Sequence, residues 1–195
     1  QFTLGSYGDG DFYEMKGVVE EFFDKIGLHG KAIYNPEAGR PFLHPGRQAE
    51  ISYQDQVVGY LGELHPQVAE NYGIGERTYV AVIDMPSVLP LATFDRKYEG
   101  IAKFPAVTRD LSMVVPKNIR VGQIEEILEK KGGKLLESCH LFDIYEGSQI
   151  QEGYKSVAYS ITFRAKDRTL EEKDVSAVMN KILSALSELG IELRS

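Results

Sequence analysis

Apolar residues recur at Met15, Val18, Val19, Phe22, Phe23 and Ile26, the three-and-four spacing of an amphipathic helix. Asp11 with Glu14 reads as a capping box, and Gly27 suits a left-handed stop, so the pattern predicts a helix from about Asp11 to Ile26. Lys31–Pro45 is broken by Pro36, Gly39, Pro41 and Pro45, and reads as a strand followed by a loop. Ala49–Tyr53 and Gln56–Leu61 flank Gln54-Asp55, a hairpin-turn pair. Val68–Tyr72 reads as a short helix introduced by Pro66, and Thr78–Asp84 as a strand. Pro86 and Pro90 are expected to end regular structure.

The second half alternates more cleanly. Asp110–Val115 is a predicted strand. A helix through Val121, Ile124, Ile127 and Leu128 is stopped by Gly132-Gly133. Leu135–Tyr145 and Ser156–Arg164 follow as strands. Thr169 with Glu172 reads as a capping box for a long helix through Leu170, Val175, Val178, Met179, Ile182, Leu186 and Leu189, ended by Gly190. Ile191–Arg194 is a last short strand. The order βαββαβ is the split-βαβ, ferredoxin-like topology: four antiparallel strands, both helices on one face, the other face open.

Strand alternation sorts side chains between those faces. Leu111, Met113, Val115, Phe142, Ile144, Val157, Tyr159, Ile161, Phe163, Ile191 and Leu193 are assigned to the helices. The opposite parity gives Ser112, Asp143, Tyr145, Ser156, Ala158, Ser160, Thr162, Arg164 and Arg194. That face is small, polar and hydroxyl-rich, with one tyrosine and two arginines. It has the chemistry to admit single-stranded bases: Tyr145 and Arg194 offer stacking planes, and Ser112, Asp143 and Ser156 can read base edges. An ordinary hydrated sheet face is the other reading of the same pattern. Arg109, Lys155, Arg164, Lys166 and Arg168 are candidate phosphate contacts.

Composition narrows the field. The chain has 195 residues, 43% hydrophobic and 26% charged, the balance of a soluble globular protein of one or two domains. No apolar run approaches the ~18 residues of a membrane span. A single cysteine, Cys139, allows no internal disulfide and no cysteine-based metal cluster. The start Gln1-Phe2-Thr3 suggests a fragment of a longer protein. Charge is uneven: residues 1–95 hold 14 acidic and 6 basic side chains, residues 96–195 hold 15 and 16. A polyanion would prefer the second half.

Catalytic constellations are sparse. His44 and His65 each precede a proline and lack a second histidine at metal-ligand spacing. Glu63 beside His65 suggests an acid–base pair, but no nucleophile or oxyanion donors accompany it. The structural alternative is that both histidines cap or buttress loops. Gly59, Gly62, Gly73 and Gly75 form no phosphate-cradling loop.

Three blocks carry a resemblance: Phe12-Tyr13-Glu14-Met15-Lys16-Gly17, then His44-Pro45-Gly46-Arg47-Gln48-Ala49-Glu50-Ile51, then Gly59-Tyr60-Leu61-Gly62-Glu63-Leu64-His65-Pro66. In order and spacing they resemble the C-terminal part of the bacterial phenylalanyl-tRNA synthetase beta-subunit family. The match runs to Arg194. It implies an α+β chain in which residues 1–95 are part of a non-catalytic class II synthetase-like module with an antiparallel sheet. Class II catalysis needs a Gly-rich block carrying an arginine for the ATP phosphates. Tyr79–Val88 has neither glycine nor arginine, and Arg47 or Arg77 would have to act in its place.

In the second half, Lys103–Leu111, Leu141–Tyr145, Lys155-Ser156, Phe163-Arg164 and Arg168-Thr169-Leu170 are similar to that family's ferredoxin-fold anticodon-binding domain. The resemblance implies residues 96–195 as that domain, a linker near Leu91–Tyr98, and an anticodon loop on Ser112, Asp143, Tyr145, Ser156 and Arg194. It further implies no cofactor in this fragment and ATP and magnesium in the whole enzyme. The implied partners are phenylalanine tRNA and a catalytic alpha subunit, as two alpha and two beta chains. No membrane or DNA partner is implied, and the expected location is the cytoplasm. The alternative is a regulatory module whose ferredoxin-like domain binds a small effector, since topology does not decide function.

Overall fold

The Asp11 carboxylate accepts the Glu14 amide at 2.8 Å and so opens the first helix, α1 (Phe12–Lys25). Gly27, at φ +73, turns the chain out of it. A computed structural model describes residues 1–28, 32–93 and 100–194. The chain divides into two compact units, Gln1–Tyr98 and Glu99–Ser195. Most of the expected linker, Leu91–Tyr98, and the expected boundary at residues 95 and 96 lie outside the described residues.

In the first unit, α1 buries Met15, Val19 and Phe23 against an antiparallel sheet. Its strands are β1 (Phe2–Tyr7), β2 (Ile33–Asn35), β3 (Leu43–Tyr53), β4 (Gln56–Leu64) and β5 (Thr78–Ile83), in the spatial order β1-β5-β4-β3-β2. Gln54 and Asp55 both have left-handed φ, 48 and 62, which is the geometry of the tight β3–β4 hairpin. Ile51, Leu61, Ala81 and Ile83 face α1 and are fully buried.

Expectations for this unit need correction at several points, and β1 is a strand that the sequence pattern does not predict. β3 begins at Leu43, six residues before Ala49, and absorbs the His44-Pro45-Gly46 segment through a register shift between Leu43 and Gln48. Pro86 and Pro90 do not end regular structure. They open a short helix, α3 (Met85–Val88), and a 3-10 turn at Leu89–Leu91. A proline in the first turn loses no hydrogen bond, because that amide has no intrahelical acceptor. The remaining helix, α2, is present but runs Pro66–Asn71 rather than Val68–Tyr72, because Pro66 is itself its first residue.

The second unit runs β6 (Val107–Pro116), α4 (Val121–Gly132), β7 (Leu136–Tyr145), β8 (Tyr154–Phe163), α5 (Glu172–Ser187) and β9 (Glu192–Leu193). The spatial order is β7-β8-β6-β9, all antiparallel. Ile124 and Leu128 of α4, and Val175, Ile182 and Leu186 of α5, close the core over Leu111, Met113, Val115, Val157, Tyr159, Ile161 and Phe163. The α5 cap lies two residues later than expected. Glu171, not Thr169, is the N-cap, and its amide donates to Asp174 Oδ2 at 3.0 Å.

β7 carries the main departure from simple alternation. Its pairing to β8 slips between Leu136 and Ser138 and again between Leu141 and Asp143. Cys139 and Leu141 therefore pack on the helix side, and Phe142 is the extra residue of a bulge, 53% exposed rather than buried. Ile144 does share a face with Val157, but at the strand end it stays half exposed.

Candidate nucleic-acid interface

Residues directly opposite each other in an antiparallel pair share a face, so the register places every open-face side chain. Tyr145 lies opposite Ser156, and Ser156 opposite Val114. Asp143 lies opposite Ala158, and Ala158 opposite Ser112. The Arg194 amide donates to the Ser112 carbonyl at 2.9 Å, which continues that row onto the last strand. Ser112, Asp143, Tyr145, Ser156 and Arg194 thus fall in two adjacent rows across four strands, a patch about 14 Å wide at ~4.8 Å per strand.

Ser156 and Ala158, on the central strand, are only 3% and 5% exposed. They form a low floor between the taller side chains of β7 and β9. Arg194 crosses that floor: its Nη1 donates to Ser156 Oγ at 3.2 Å. A flat guanidinium and a phenol ring therefore flank a small hydroxyl. That arrangement can take the face of an unstacked base and offer donors and acceptors to its edge.

The β7 bulge adds residues that strand parity did not select. Ser138 pairs with Thr162 and His140 with Ser160, so both belong to the open face, as do Thr108 and Asp110 opposite Thr162 and Ser160. Tyr145 is therefore not its sole ring. No sequence signal marks the bulge, because a single inserted residue inverts parity without changing composition.

The phosphate candidates are dispersed. Lys155 adjoins Ser156 but pairs with Val115, on the helix side. Arg164 lies just past the end of β8, eight residues and roughly 26 Å from Ser156. It is held by Glu137, at 2.8 Å from Nε, and by the Phe104 carbonyl. Arg109 pairs opposite Ile161, on the helix side, and bonds Glu172 at 2.5 Å. Arg168 bonds Asp174 at 2.5 Å. That bond, with the Glu171 amide, holds the Asp174 carboxyl at about 2. Lys166 is exposed in the loop after β8.

The carboxylate and histidines of the first unit have structural partners. Glu63, 7% exposed, lies opposite Tyr79 on the face that α1 covers. Tyr79 Oη donates to its Oε2 at 2.9 Å, Arg47 Nη1 lies 2.9 and 3.0 Å from its two oxygens, and Arg77 Nε is 3.9 Å away. Burial pushes the Glu63 carboxyl up, but the Tyr79 and Arg47 hydrogen bonds and both guanidinium charges outweigh it and hold the group below its ordinary range. Arg47 and Arg77 are thus turned onto an internal carboxylate. His65 Nδ1 accepts the Gln67 amide at 3.2 Å and caps α2, and His44 Nδ1 accepts the Gly46 amide at 3.1 Å. His65 and Glu63 form no acid–base pair. Among the described residues no group of three histidine, cysteine or carboxylate side chains is placed to hold a metal, and no helix is long and apolar enough to cross a membrane.

Residues 102–194 match the family described as the ferredoxin-fold anticodon binding domain, and residues 5–85 match the phenylalanyl tRNA synthetase beta chain CLM domain. A phenylalanine–tRNA ligase beta subunit of Clostridium acetobutylicum is 45% identical over 193 residues, covering 98% of this chain and 24% of the relative. Subunits of the same name are 41% identical in Clostridium tetani, covering 98% of this chain and 24% of the relative, and 38% identical in Lactiplantibacillus plantarum, covering 94% and 23%. The chain spans about a quarter of the length of these relatives.

Proposed function

Since the chain belongs to the phenylalanyl-tRNA synthetase beta-subunit family, we propose that it is the anticodon-gripping and assembly portion of a ligase joining phenylalanine to its tRNA. The observation that carries this reading is the clustering of Tyr145, Ser156, Asp143, Ser112 and Arg194 in two rows of one open sheet face. Tyr145 and Arg194 would stack on exposed anticodon bases, and Ser112, Asp143 and Ser156 would bond their edges. Lys155, beside Ser156, is the proposed near phosphate contact. Arg164, Lys166 and Arg168, beyond the other end of β8, would meet phosphates remote from those bases, whereas Arg109, on the helix side and paired to Glu172, is turned away from an RNA on the open face. The family matches favour this reading over an effector-binding module.

The first unit is proposed as part of a class II synthetase-like module that supports subunit assembly without catalysis. The ATP and magnesium sites would lie on a catalytic alpha subunit, within a cytoplasmic assembly of two alpha and two beta chains. Arg47 and Arg77 are paired to Glu63, which speaks against their serving as phosphate clamps. The chain alone should therefore form no phenylalanyl-adenylate. Pyrophosphate exchange above a no-protein blank would overturn that.

Tyr145→Ala should weaken binding of the phenylalanine tRNA anticodon stem-loop by roughly 1–3 kcal/mol, the usual loss of one stacking platform. Arg194→Ala should act similarly, since it removes both a plane and the Ser156 contact. Titration of each variant against cognate and anticodon-mutated stem-loops is the measurement. An unchanged cognate affinity for Tyr145→Ala would mean that the open face is not the reading surface.

A further inference from the structure

We propose that Gly147 is a positioning residue for the Tyr145 ring, an inference that rests on the anticodon reading above. A Cβ built at position 147 would stand 2.3 Å from Tyr145 Oη, 2.5 Å from Cζ and 3.1 Å from Cε1. Carbon–carbon contacts are favourable only near 3.5–4.0 Å, so no residue with a side chain fits there unless the ring moves. The demand is for space alone, because Gly147 is not among the glycines with left-handed φ. The backbone of the residue two places on is thus a wall against the hydroxyl end of the ring.

The wall is itself fastened. Lys117 ties down both ends of the β7–β8 loop: its amide donates to the Gly153 carbonyl at 2.9 Å, and its Nζ lies 2.8 Å from Glu146 Oε2. Between those ties the Gly147 carbonyl accepts the Ile150 amide at 2.9 Å. The Lys117 hydrogen bond and charge hold the Glu146 carboxyl below its ordinary range, so it stays ionised at neutral pH. Tyr145 ends its strand and is 38% exposed. Without a wall, such a ring exchanges among its staggered χ1 wells. With one, it stands ready beside Ser156, and a base docks without first ordering it.

Gly147→Ala in the 195-residue chain tests this with two readouts. The first is the ring carbon–proton NMR signal of Tyr145, assigned with Tyr145→Phe. The second is the dissociation constant for the phenylalanine tRNA anticodon stem-loop. The ring signal should shift in the free protein. Affinity should fall at least about fivefold, within the range of one lost stacking platform. Tyr145→Ala/Gly147→Ala should bind no worse than Tyr145→Ala alone, since a positioning residue has no effect without the group it positions. Glu146→Gln, which adds no bulk, gives a test by sign: loss of a negative charge alone would tighten RNA binding, whereas loosening the wall weakens it. An unmoved ring signal, unchanged affinity of Gly147→Ala while Tyr145→Ala weakens binding, a double variant that loses the product of the single losses, or tighter binding by Glu146→Gln would each overturn the role of Gly147 and leave the anticodon reading standing. If Tyr145→Ala itself binds normally, the anticodon reading falls, and this inference with it.

Discussion

Gly27→Ala is expected to destabilise the first unit by about 3 kcal/mol or more, among the larger effects open to a single substitution. Two costs coincide there. At φ +73 an alanine is strained in the left-handed region, by roughly 1–2 kcal/mol. Its Cβ would also stand 1.7 Å from the Thr93 carbonyl oxygen, a covalent rather than a contact distance. The chain near Thr93 would have to withdraw, breaking the bond from its amide to the Ile26 carbonyl (3.0 Å) and loosening the segment behind fully buried Val88. Denaturant unfolding of the 195-residue chain, followed by amide spectra, is the check. The expected result is early loss of signals from residues 2–91 while those from residues 107–193 persist. An unchanged midpoint would show that the Thr93 segment is not held against the helix end.

Glu63→Leu is expected to cost about 2–3 kcal/mol at neutral pH. Hydrogen bonds to a charged group contribute ~1.5–3 kcal/mol, and a broken buried pair costs more. The Arg47 side chain is 43% exposed, so water recovers part of its share. The loss falls mainly on Tyr79, whose hydroxyl sits in a residue 2% exposed and would have no carboxylate to donate to. The pH dependence has a definite sign. Glu63 has a folded pKa below its unfolded value of ~4.3, so its contribution is complete above that value and disappears as pH falls through the folded one. Tyr79, raised first by burial and then by Glu63, contributes fully below ~10 and loses stability as pH rises through its folded value. The gap between native and variant chains should therefore be flat from about pH 5 to 9 and should close in acid. A gap that widens below pH 4 would contradict the assignment of Glu63 as the stabilising carboxylate.

The parts of the fold legible in the sequence are those with sustained periodicity. α1 and α5 repeat apolar residues over three or more turns and β8 alternates from Ser156 to Phe163, so their types and faces follow from spacing, whereas β5 is a β-branched and aromatic run whose type is legible but whose buried face, Tyr79, Ala81 and Ile83, only the register shows. β1 escaped because Gly5 and Ser6 blur its alternation and it lies at a sheet edge. The helical turns at Pro86 and Pro90 escaped because a proline starts a helix as readily as it stops one. In the second unit, open-face parity selected Asp143, Tyr145, Ser156 and Ser112, and the register sets them in neighbouring rows. Parity counted backward from Asp143 passes over His140, because the bulge at Phe142 shifts the count by one. The ion pairs of Arg109 with Glu172 and Arg164 with Glu137 join residues 63 and 27 positions apart, which no local pattern reveals.

The two slips in β7 also bear on solubility. β7 is the outer strand of its sheet, ten residues long, and among the described residues no strand pairs with its far side. A straight strand of that length, with Phe142 and Ile144 exposed, would template pairing with the same strand of a neighbouring molecule. The irregularities at residues 137 and 142 divide it into runs of at most four regularly paired residues, Ser138–Leu141 and then Asp143–Tyr145. Each bulge bends the strand and turns its amides and carbonyls out of a common plane. An incoming strand would find too short a ladder to hold, so the same local kink that brings His140 onto the open face also guards this edge against aggregation.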